Sequence, residues 1–143
     1  MTFHHGQEGG LSREQFAAIA AFRYELRRFL AFSEAAAAKV GLPAQQHQAL
    51  LAIAGHNGPP MVGTLAEHLL IAPQTAAELV SRMAEAGLVT KSLSVQDRRR
   101  MELVLTPKAE ALLHRLTAAH LEELRNLEPV LSAALGRLGR PQA

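Results

Sequence analysis

The densest charge in this chain lies between Lys91 and Arg100, where four basic residues accompany a single acid, Asp97. This run carries a net charge of +3, whereas the whole chain of 143 residues carries only +2 with its histidines counted neutral. Closely spaced Lys and Arg side chains can neutralise the phosphates of a nucleic acid. An isolated basic run is more often a solvated loop, so the flanking sequence must decide between these two interpretations.

The basic run follows a pattern of two short helices. Residues 64–70 and about 73–86 have apolar residues at helical spacing, and residues 71–72 form the turn between them. Gly87 is a typical stop for the second helix. Its predicted inward residues are Ala76, Leu79, Val80 and Met83. The opposite face stays polar, as in a helix that enters the major groove of DNA.

Two short strands enclose the basic run. The first begins at residues 88–89, and apolar residues alternate along residues 101–105, which is typical of an antiparallel partner strand. A helix pair followed by a basic two-stranded hairpin predicts a winged helix-turn-helix. This arrangement is suited to binding duplex DNA, because a helix can enter the major groove while basic residues neutralise phosphates.

Helices are predicted on both sides of this part of the chain. Ser12 and Gln15 form a capping box that begins a first helix, and this helix runs to about Val40. Another helix follows Pro43 and stops at Gly55.

The last helix is expected to begin at Thr106-Pro107 and to run to about Leu127. Glu128-Pro129 predicts a break, followed by a short final helix to residue 138. A first helix of nearly thirty residues has more apolar surface than one small domain can cover. We therefore expect a second chain or a long partner helix, and a kink near residues 35–38 is the alternative.

The composition excludes several classes of protein. The chain has no Cys, which excludes disulfides and thiolate metal sites. No apolar run approaches the ~18 residues of a membrane span, and no signal sequence is evident, so we expect a cytoplasmic protein without a membrane partner. Residues 1–11 are expected to be a flexible tail. There is no Gly-rich phosphate loop, His-Glu-x-x-His or Gly-x-Ser-x-Gly motif, so we expect neither an enzyme nor a cofactor.

These motifs resemble the MarR family, the multiple-antibiotic-resistance type of bacterial transcriptional regulator. The resemblance rests on the segments Leu65-Ala66, Pro73-Gln74-Thr75, Ala86-Gly87-Leu88-Val89, Asp97-Arg98-Arg99 and Leu105-Thr106. It implies a mainly α fold with a small β-hairpin wing, in one domain over residues 12–143. Within that domain, residues of about 43–105 would form the DNA-binding winged helix, and residues 12–41 and 106–138 the dimerisation helices.

Three positions depart from the family pattern. Ala109 stands where the family often has Gly, and Ala72 where a capping hydroxyl is common. Glu78 stands where a basic or polar residue is common, on the predicted DNA-facing helix. Glu78 could accept a hydrogen bond from a cytosine amine or pair with Arg82 one turn later, and we favour the pairing.

The resemblance implies a transcriptional regulator that binds a pseudo-palindromic operator in double-stranded DNA as a homodimer. It further implies a repressor that a small aromatic or phenolic effector releases from DNA. Asp97 and Arg99 would hold the wing together, leaving Arg98 or Arg100 as the freer groove contact. The predicted DNA-binding residues are Gln74, Thr75, Glu78, Ser81, Arg82, Lys91, Arg98, Arg99 and Arg100.

Two further sets of residues are predicted from their position in the family fold. The effector pocket would contain Arg23, Tyr24, His47 and His114. The dimer interface would contain Phe16, Leu116, Leu127, Leu131 and Leu135, of which about half could instead be ordinary intrachain core. We expect no metal site. The alternatives are a winged-helix protein-interaction module without DNA binding and a zinc-responsive regulator.

Overall fold

The computed structural model describes residues 11–139, so the predicted flexible tail lies outside the described residues except for the exposed Leu11. Seven elements follow one another within residues 11–139. They are α1 (Arg13–Lys39), α2 (Ala44–Ala54), α3 (Val62–Leu69), α4 (Pro73–Glu85), β1 (Val89–Leu93), β2 (Met101–Leu105) and α5 (Pro107–Arg137). The two strands form one antiparallel hairpin. The predicted class, mainly α with a small hairpin, is confirmed. None of the helices within residues 11–139 is both long enough and apolar enough to cross a membrane.

The first compact unit spans Glu34–Ala118 and contains α2, α3, α4 and the hairpin, with the end of α1 and the start of α5. Its core includes Leu50 from α2, Leu65 from α3 and Met83 from α4, all almost completely buried. Ala37 from α1 and Leu116 from α5 belong to the same core. This packing explains why the unit extends beyond the predicted residues 43–105 at both ends.

Helices α3 and α4 end in the same way, with a residue of positive φ followed by a backbone N–H that donates to a carbonyl five residues earlier. In α4, the Leu88 N–H donates to the Met83 carbonyl at 2.9 Å while Gly87 adopts a φ of +76°. In α3, the Ile71 N–H donates to the Ala66 carbonyl at 3.0 Å. The residue with positive φ is here Leu70, at +59°, although this left-handed conformation normally favours Gly. The turn of the helix-turn-helix therefore contains a strained leucine.

The start of α3 differs from the prediction. The helix begins at Val62, two residues before Thr64, after Met61 in extended conformation. The Met61 N–H donates to Thr64 Oγ1 at 3.2 Å, so Thr64 serves the helix start from inside the first turn. Since Met61 has no capping oxygen of its own, the sequence around it carries no N-cap signal.

The predicted break at Glu128-Pro129 is wrong, because α5 is a single helix from Pro107 to Arg137 with Pro129 inside it. Proline inside a helix costs about 3 kcal/mol, since it removes one backbone hydrogen bond and crowds the preceding turn. Leu127 and Ala134 on either side of Pro129 are buried. We infer that burial of this face outweighs the local preference for a break.

The second compact unit consists of residues 11–33 and 119–139 of the described chain. His120 is buried there, with its Nε2 2.7 Å from Ser33 Oγ and edge-to-face contacts to Phe29 and Phe32. The Gln15 amide Nε2 donates to the Leu138 carbonyl at 3.2 Å. Only half of the predicted capping box forms, because the Gln15 N–H donates to Ser12 Oγ while the Gln15 side chain bonds Leu138.

Candidate nucleic-acid interface

The hairpin is anchored in the core at its root and projects from it at its tip. Its register pairs Val89 with Leu105 at the root and Leu93 with Met101 at the tip. Val89 and Leu103 are buried, and the Leu103 N–H donates to the Pro60 carbonyl at 2.8 Å. Leu93 and Met101 are exposed. The root thus fixes the direction in which the tip projects.

The tip is closed by hydrogen bonds around Ser94, which is only 6% exposed. Its Oγ accepts hydrogen bonds from the N–H groups of Gln96 and Asp97, each at 3.2 Å. Its own N–H donates to the Arg100 carbonyl at 2.9 Å, and the Arg100 N–H donates to the Asp97 carbonyl at 3.0 Å. A basic loop that could have been mobile is instead an ordered turn.

Asp97 binds two of the three arginines of the tip. Its Oδ1 accepts from the Arg99 N–H at 3.0 Å and from Arg99 Nε at 3.1 Å. The Arg100 Nε lies 3.5 Å from Oδ2. These donors, the backbone N–H of Arg99 first, lower the pKa of the Asp97 carboxyl below its usual 3.8. The carboxylate is therefore charged at neutral pH and holds two of the three guanidinium groups.

Arg98 differs from the other two arginines. Among the ion pairs and side-chain hydrogen bonds within residues 11–139, none involves Arg98, and its side chain is exposed. The sequence left Arg98 and Arg100 as alternative groove contacts. Because Asp97 engages Arg100, the geometry favours Arg98 as the free cation of the tip.

The α4 helix separates an apolar face from a polar one. Ala76, Leu79, Val80 and Met83 are buried, as predicted from their spacing. All predicted DNA-facing residues of this helix are exposed, namely Gln74, Thr75, Glu78, Ser81 and Arg82.

The favoured Glu78–Arg82 pair is not formed, since no ion pair within the described part of the chain joins these two exposed residues. Helical spacing permits the contact, but an exposed pair gains at most about 0.5 kcal/mol. The two side chains therefore lie on the α4 face as separate charges of opposite sign. Positive charge is concentrated in the hairpin and not on α4.

Thr106 joins the end of α4 to the start of α5. Its Oγ1 donates to the Gly87 carbonyl at 2.6 Å and accepts from the Ala109 N–H at 3.2 Å, which is the predicted helix cap. The Lys108 Nζ donates to the Ala86 carbonyl at 2.9 Å. Sequence reasoning recognised the cap but missed both bridges to α4. Ser94 was also missed, although a serine at the start of a polar loop is a signal for a turn in which its hydroxyl accepts from nearby backbone N–H groups.

The four residues predicted for an effector pocket have different environments. Arg23 and Tyr24 are exposed on α1, in the unit of residues 11–33 and 119–139. His47 is 2% exposed on α2 in the other unit, so a ligand could reach it only if the core rearranged. His114 is exposed on α5 in that same unit, 3.9 Å from Glu110, and lines an open cavity of about 210 Å³. The other lining residues of this cavity are Leu51, Ala54, Glu110, Leu113 and Thr117.

The five residues predicted for a dimer interface separate into two groups. Leu116 is 4% exposed within the core of the Glu34–Ala118 unit, and Leu127 is buried within the other unit. These two residues follow the stated alternative of intrachain core, because helical periodicity predicts that a side chain is covered but not by which chain. Leu131 is half-buried, whereas Phe16 and Leu135 are half-exposed and available to a partner.

No group of three or more His, Asp or Glu side chains in residues 11–139 is arranged to hold a metal ion. His114 and His120 lie six residues apart on α5, and His120 is buried against Ser33 and two phenylalanines.

Two packed helices with a polar second helix, followed by an ordered basic hairpin, define a winged helix-turn-helix protein. The sequence model described as the MarR family matches residues 40–100, which run from the end of α1 to the tip of the hairpin. None of the curated protein sequences matches the chain.

Solved structures match over most of the chain. A MarR family protein from Bacillus stearothermophilus has 22% identity and a TM-score of 0.70, over 82% of this chain and 81% of that one. AbsC, a MarR family transcriptional regulator from Streptomyces coelicolor, has 19% identity and a TM-score of 0.68, over 82% and 80%. The S. aureus MepR–DNA complex has 20% identity and a TM-score of 0.61, over 74% and 77%. In sequence over residues 40–100, and in fold over most of its length, the chain is similar to MarR family winged helix-turn-helix transcriptional regulators.

Proposed function

We propose that this protein binds double-stranded DNA as a homodimer, represses transcription from a pseudo-palindromic operator, and is released by a small aromatic or phenolic effector. The observation that carries the proposal is the wing: an ordered tip on which Asp97 holds Arg99 and Arg100 while Arg98 stays free. Non-specific affinity for duplex DNA comes from neutralised phosphates, which Lys91 and these arginines supply. The fold is shared with S. aureus MepR, which has been solved in complex with DNA.

The exposed face of α4 supplies the groups that would select a sequence. Gln74 and Thr75 lie in the first turn, where the N-terminal residues of a recognition helix contact base edges or phosphates. Arg82 can donate two hydrogen bonds to guanine, and Glu78 can accept one from cytosine. Because Glu78 and Arg82 carry opposite charges, this face adds little to non-specific affinity, and the wing dominates it.

A homodimer is supported by the apolar surface of the unit made of residues 11–33 and 119–139. Besides Tyr24, helices α1 and α5 expose eight large aliphatic or phenylalanine side chains there, each at 37–52% of its full area. They are Phe16, Ile19, Leu26, Leu30, Leu121, Leu124, Val130 and Leu135. Exposed apolar area of this extent on one part of a small protein is typical of an interaction surface. A two-fold dimer would place two wings and two α4 helices on successive half-sites.

The cavity lined by His114 is our candidate effector site, because one of the residues predicted for effector binding lines it. Its volume of about 210 Å³ exceeds the roughly 150 Å³ that accommodates a benzene ring in an apolar cavity, so one substituted ring fits. Leu51, Ala54 and Leu113 offer apolar contacts, while Glu110, His114 and Thr117 can hydrogen-bond a hydroxyl or carboxyl substituent.

The decisive experiment measures binding of a random duplex by fluorescence anisotropy between 50 and 200 mM salt. After subtraction of Asp97, each wing contributes three positive charges, so a dimer has six and affinity should fall about a thousandfold over this range. Replacing Arg98, Arg99 and Arg100 by Ala should abolish the binding. The single variant Arg98→Ala should weaken the binding, and its matched control is Arg125→Ala, which also removes one exposed arginine but from outside the winged helix.

Two results would refute the proposal. Binding that is absent or insensitive to salt would point to a winged-helix protein-interaction module. Equal losses from Arg98→Ala and Arg125→Ala would show that net charge and not the wing governs the affinity.

A further inference from the structure

The most exposed apolar side chain of the wing is at its tip. Val95 is 98% exposed, although its neighbour Ser94 is almost completely buried. Leu93 and Met101, paired directly opposite each other at the end of the hairpin, are also exposed. The basic tip therefore contains apolar side chains that its own core does not cover.

This exposure is not the result of a mobile loop. Val95 lies between Ser94, whose N–H and Oγ are both hydrogen-bonded, and Gln96, whose N–H donates to that same Oγ at 3.2 Å. The Asp97 carboxylate then ties the following residues into the turn. The backbone on both sides of Val95 is held by these hydrogen bonds, so the turn itself presents the Val95 side chain to solvent.

The charges around Val95 indicate what it contacts. Arg98 is free, and Arg99 and Arg100 are exposed while bonded to Asp97, so the turn that presents Val95 also carries three exposed arginines. The minor groove of DNA has the complementary arrangement: deoxyribose C–H groups form apolar walls and phosphates form anionic edges. Its negative potential is strongest where the groove is narrow, in A·T-rich sequence.

We propose that Val95 packs against the sugar walls of the minor groove, beside Arg98, and makes the wing selective for base pairs without a guanine 2-amino group. This inference rests on the proposed function and specifies what the wing recognises. Apolar side chains that enter the minor groove are a known means of shape recognition, and the 2-amino group is what G·C pairs add to the floor of that groove. A second copy of the chain is a poor occupant, because two wing tips of +3 each would repel one another.

The test compares three duplexes of equal length at one salt concentration, with the full-length protein. One is A·T-rich, one replaces these pairs by inosine·cytosine, and one replaces them by G·C. Inosine·cytosine lacks the 2-amino group although its major-groove face resembles that of G·C. We expect the unmodified protein to bind the first two similarly and the third more weakly.

The key variant is Val95→Thr, which keeps the shape and replaces one methyl by a hydroxyl. Loss of one buried methyl corresponds to about fourfold in affinity per wing, hence about fifteenfold for a dimer. This loss should appear on the A·T and inosine duplexes and shrink on G·C, with an unchanged salt slope. Arg98→Ala should instead lower the slope by about two in a dimer, on every duplex.

Equal losses from Val95→Thr on all three duplexes, or no loss at all, would overturn the inference. So would a lower oligomeric state of Val95→Thr by light scattering, since that result would assign Val95 to a contact between copies. If the unmodified protein binds none of the duplexes, the proposed DNA-binding function itself fails. If it binds with the expected salt dependence but Val95→Thr has no effect, only the role of Val95 fails.

Discussion

Replacing Leu70 by glycine should stabilise the protein, even though it removes a large apolar side chain. Leu70 has a φ of +59° and a ψ of +43°, a conformation that costs a non-glycine residue about 1–2 kcal/mol. Its side chain is 91% exposed, so almost no burial is lost. Glycine also makes the unfolded chain more flexible, which opposes folding by about 0.4–1 kcal/mol. The relief of strain exceeds this cost and leaves a net stabilisation of roughly 0.5–1 kcal/mol.

Urea denaturation followed by circular dichroism measures this effect. With a slope of roughly 1–3 kcal/mol per molar urea, the midpoint should rise by about 0.2–1 M. Protein concentration must be equal in all samples, because the stability of a dimer depends on it. Two control variants separate the backbone effect from the side-chain effect. Leu70→Ala keeps the strained backbone conformation, so the midpoint should change little. Gly87→Ala introduces the same strain at a φ of +76°, with no atom within 4 Å of the new Cβ, and should destabilise by a similar amount.

A lower midpoint for Leu70→Gly would refute the argument, since it would mean that the side chain contributes more than its exposure allows. An equal rise for Leu70→Ala would locate the effect in the side chain and not in the backbone conformation.

Two further predictions concern the contacts around the wing. Thr106→Val should lower the free energy of unfolding by about 1–2 kcal/mol, because both hydrogen bonds of the Thr106 hydroxyl are lost. One is donated to the Gly87 carbonyl, and the other is accepted from the Ala109 N–H at the start of α5. Thr106→Ser keeps both bonds and should change stability little; a similar loss in both variants on urea denaturation would contradict this account. The lowered pKa of Asp97 predicts that its stabilising contribution is complete above pH 3.8 and declines as the pH falls through the lower pKa of the folded state. A carbon-13 NMR titration of the Asp97 carboxyl should give a midpoint below 3.8, moved part of the way back in Arg99→Ala, which keeps the backbone donor; a midpoint at or above 3.8 in the unmodified protein would be inconsistent with the hydrogen bonds described.

The parts of the fold that were predictable are those with strong local signals. The α4 helix carries a regular apolar face and ends at Gly87, which takes the positive φ that a left-handed closure requires. The hairpin follows from alternation along Met101–Leu105, and its register places Leu93 opposite Met101 as two equal strands require. Each of these elements depends on residues close together in the chain.

The parts that were not predictable depend on distant contacts. Pro129 is a local signal for a break, but burial of Leu127 and Ala134 keeps α5 continuous. Leu116 has the periodicity of an interface residue, and only the assembled core shows that its own chain covers it. His47 lies in a polar stretch of sequence yet is buried. In the wing, the sequence could not distinguish Arg98 from Arg100, because the distinction depends on which guanidinium Asp97 reaches.

The hydrogen bond between Thr106 and Gly87 fixes the C-terminal end of α4 to the start of α5. A rotation of α4 about this pivot would therefore displace its N-terminal end most. The helix has 13 residues and is therefore about 20 Å long, so a tilt of about 5° at Gly87 displaces Gln74 by roughly 2 Å. A hydrogen bond to a base does not survive such a displacement. Glu110, Leu113 and His114 lie within about two turns of Thr106. Under the proposed function, a molecule in their cavity would act close to the pivot, whereas the proposed DNA contact Gln74 lies at the far end of α4. Thr106→Val should then weaken release by an effector more than it weakens DNA affinity, and equal changes in both quantities would show that the motion follows another route.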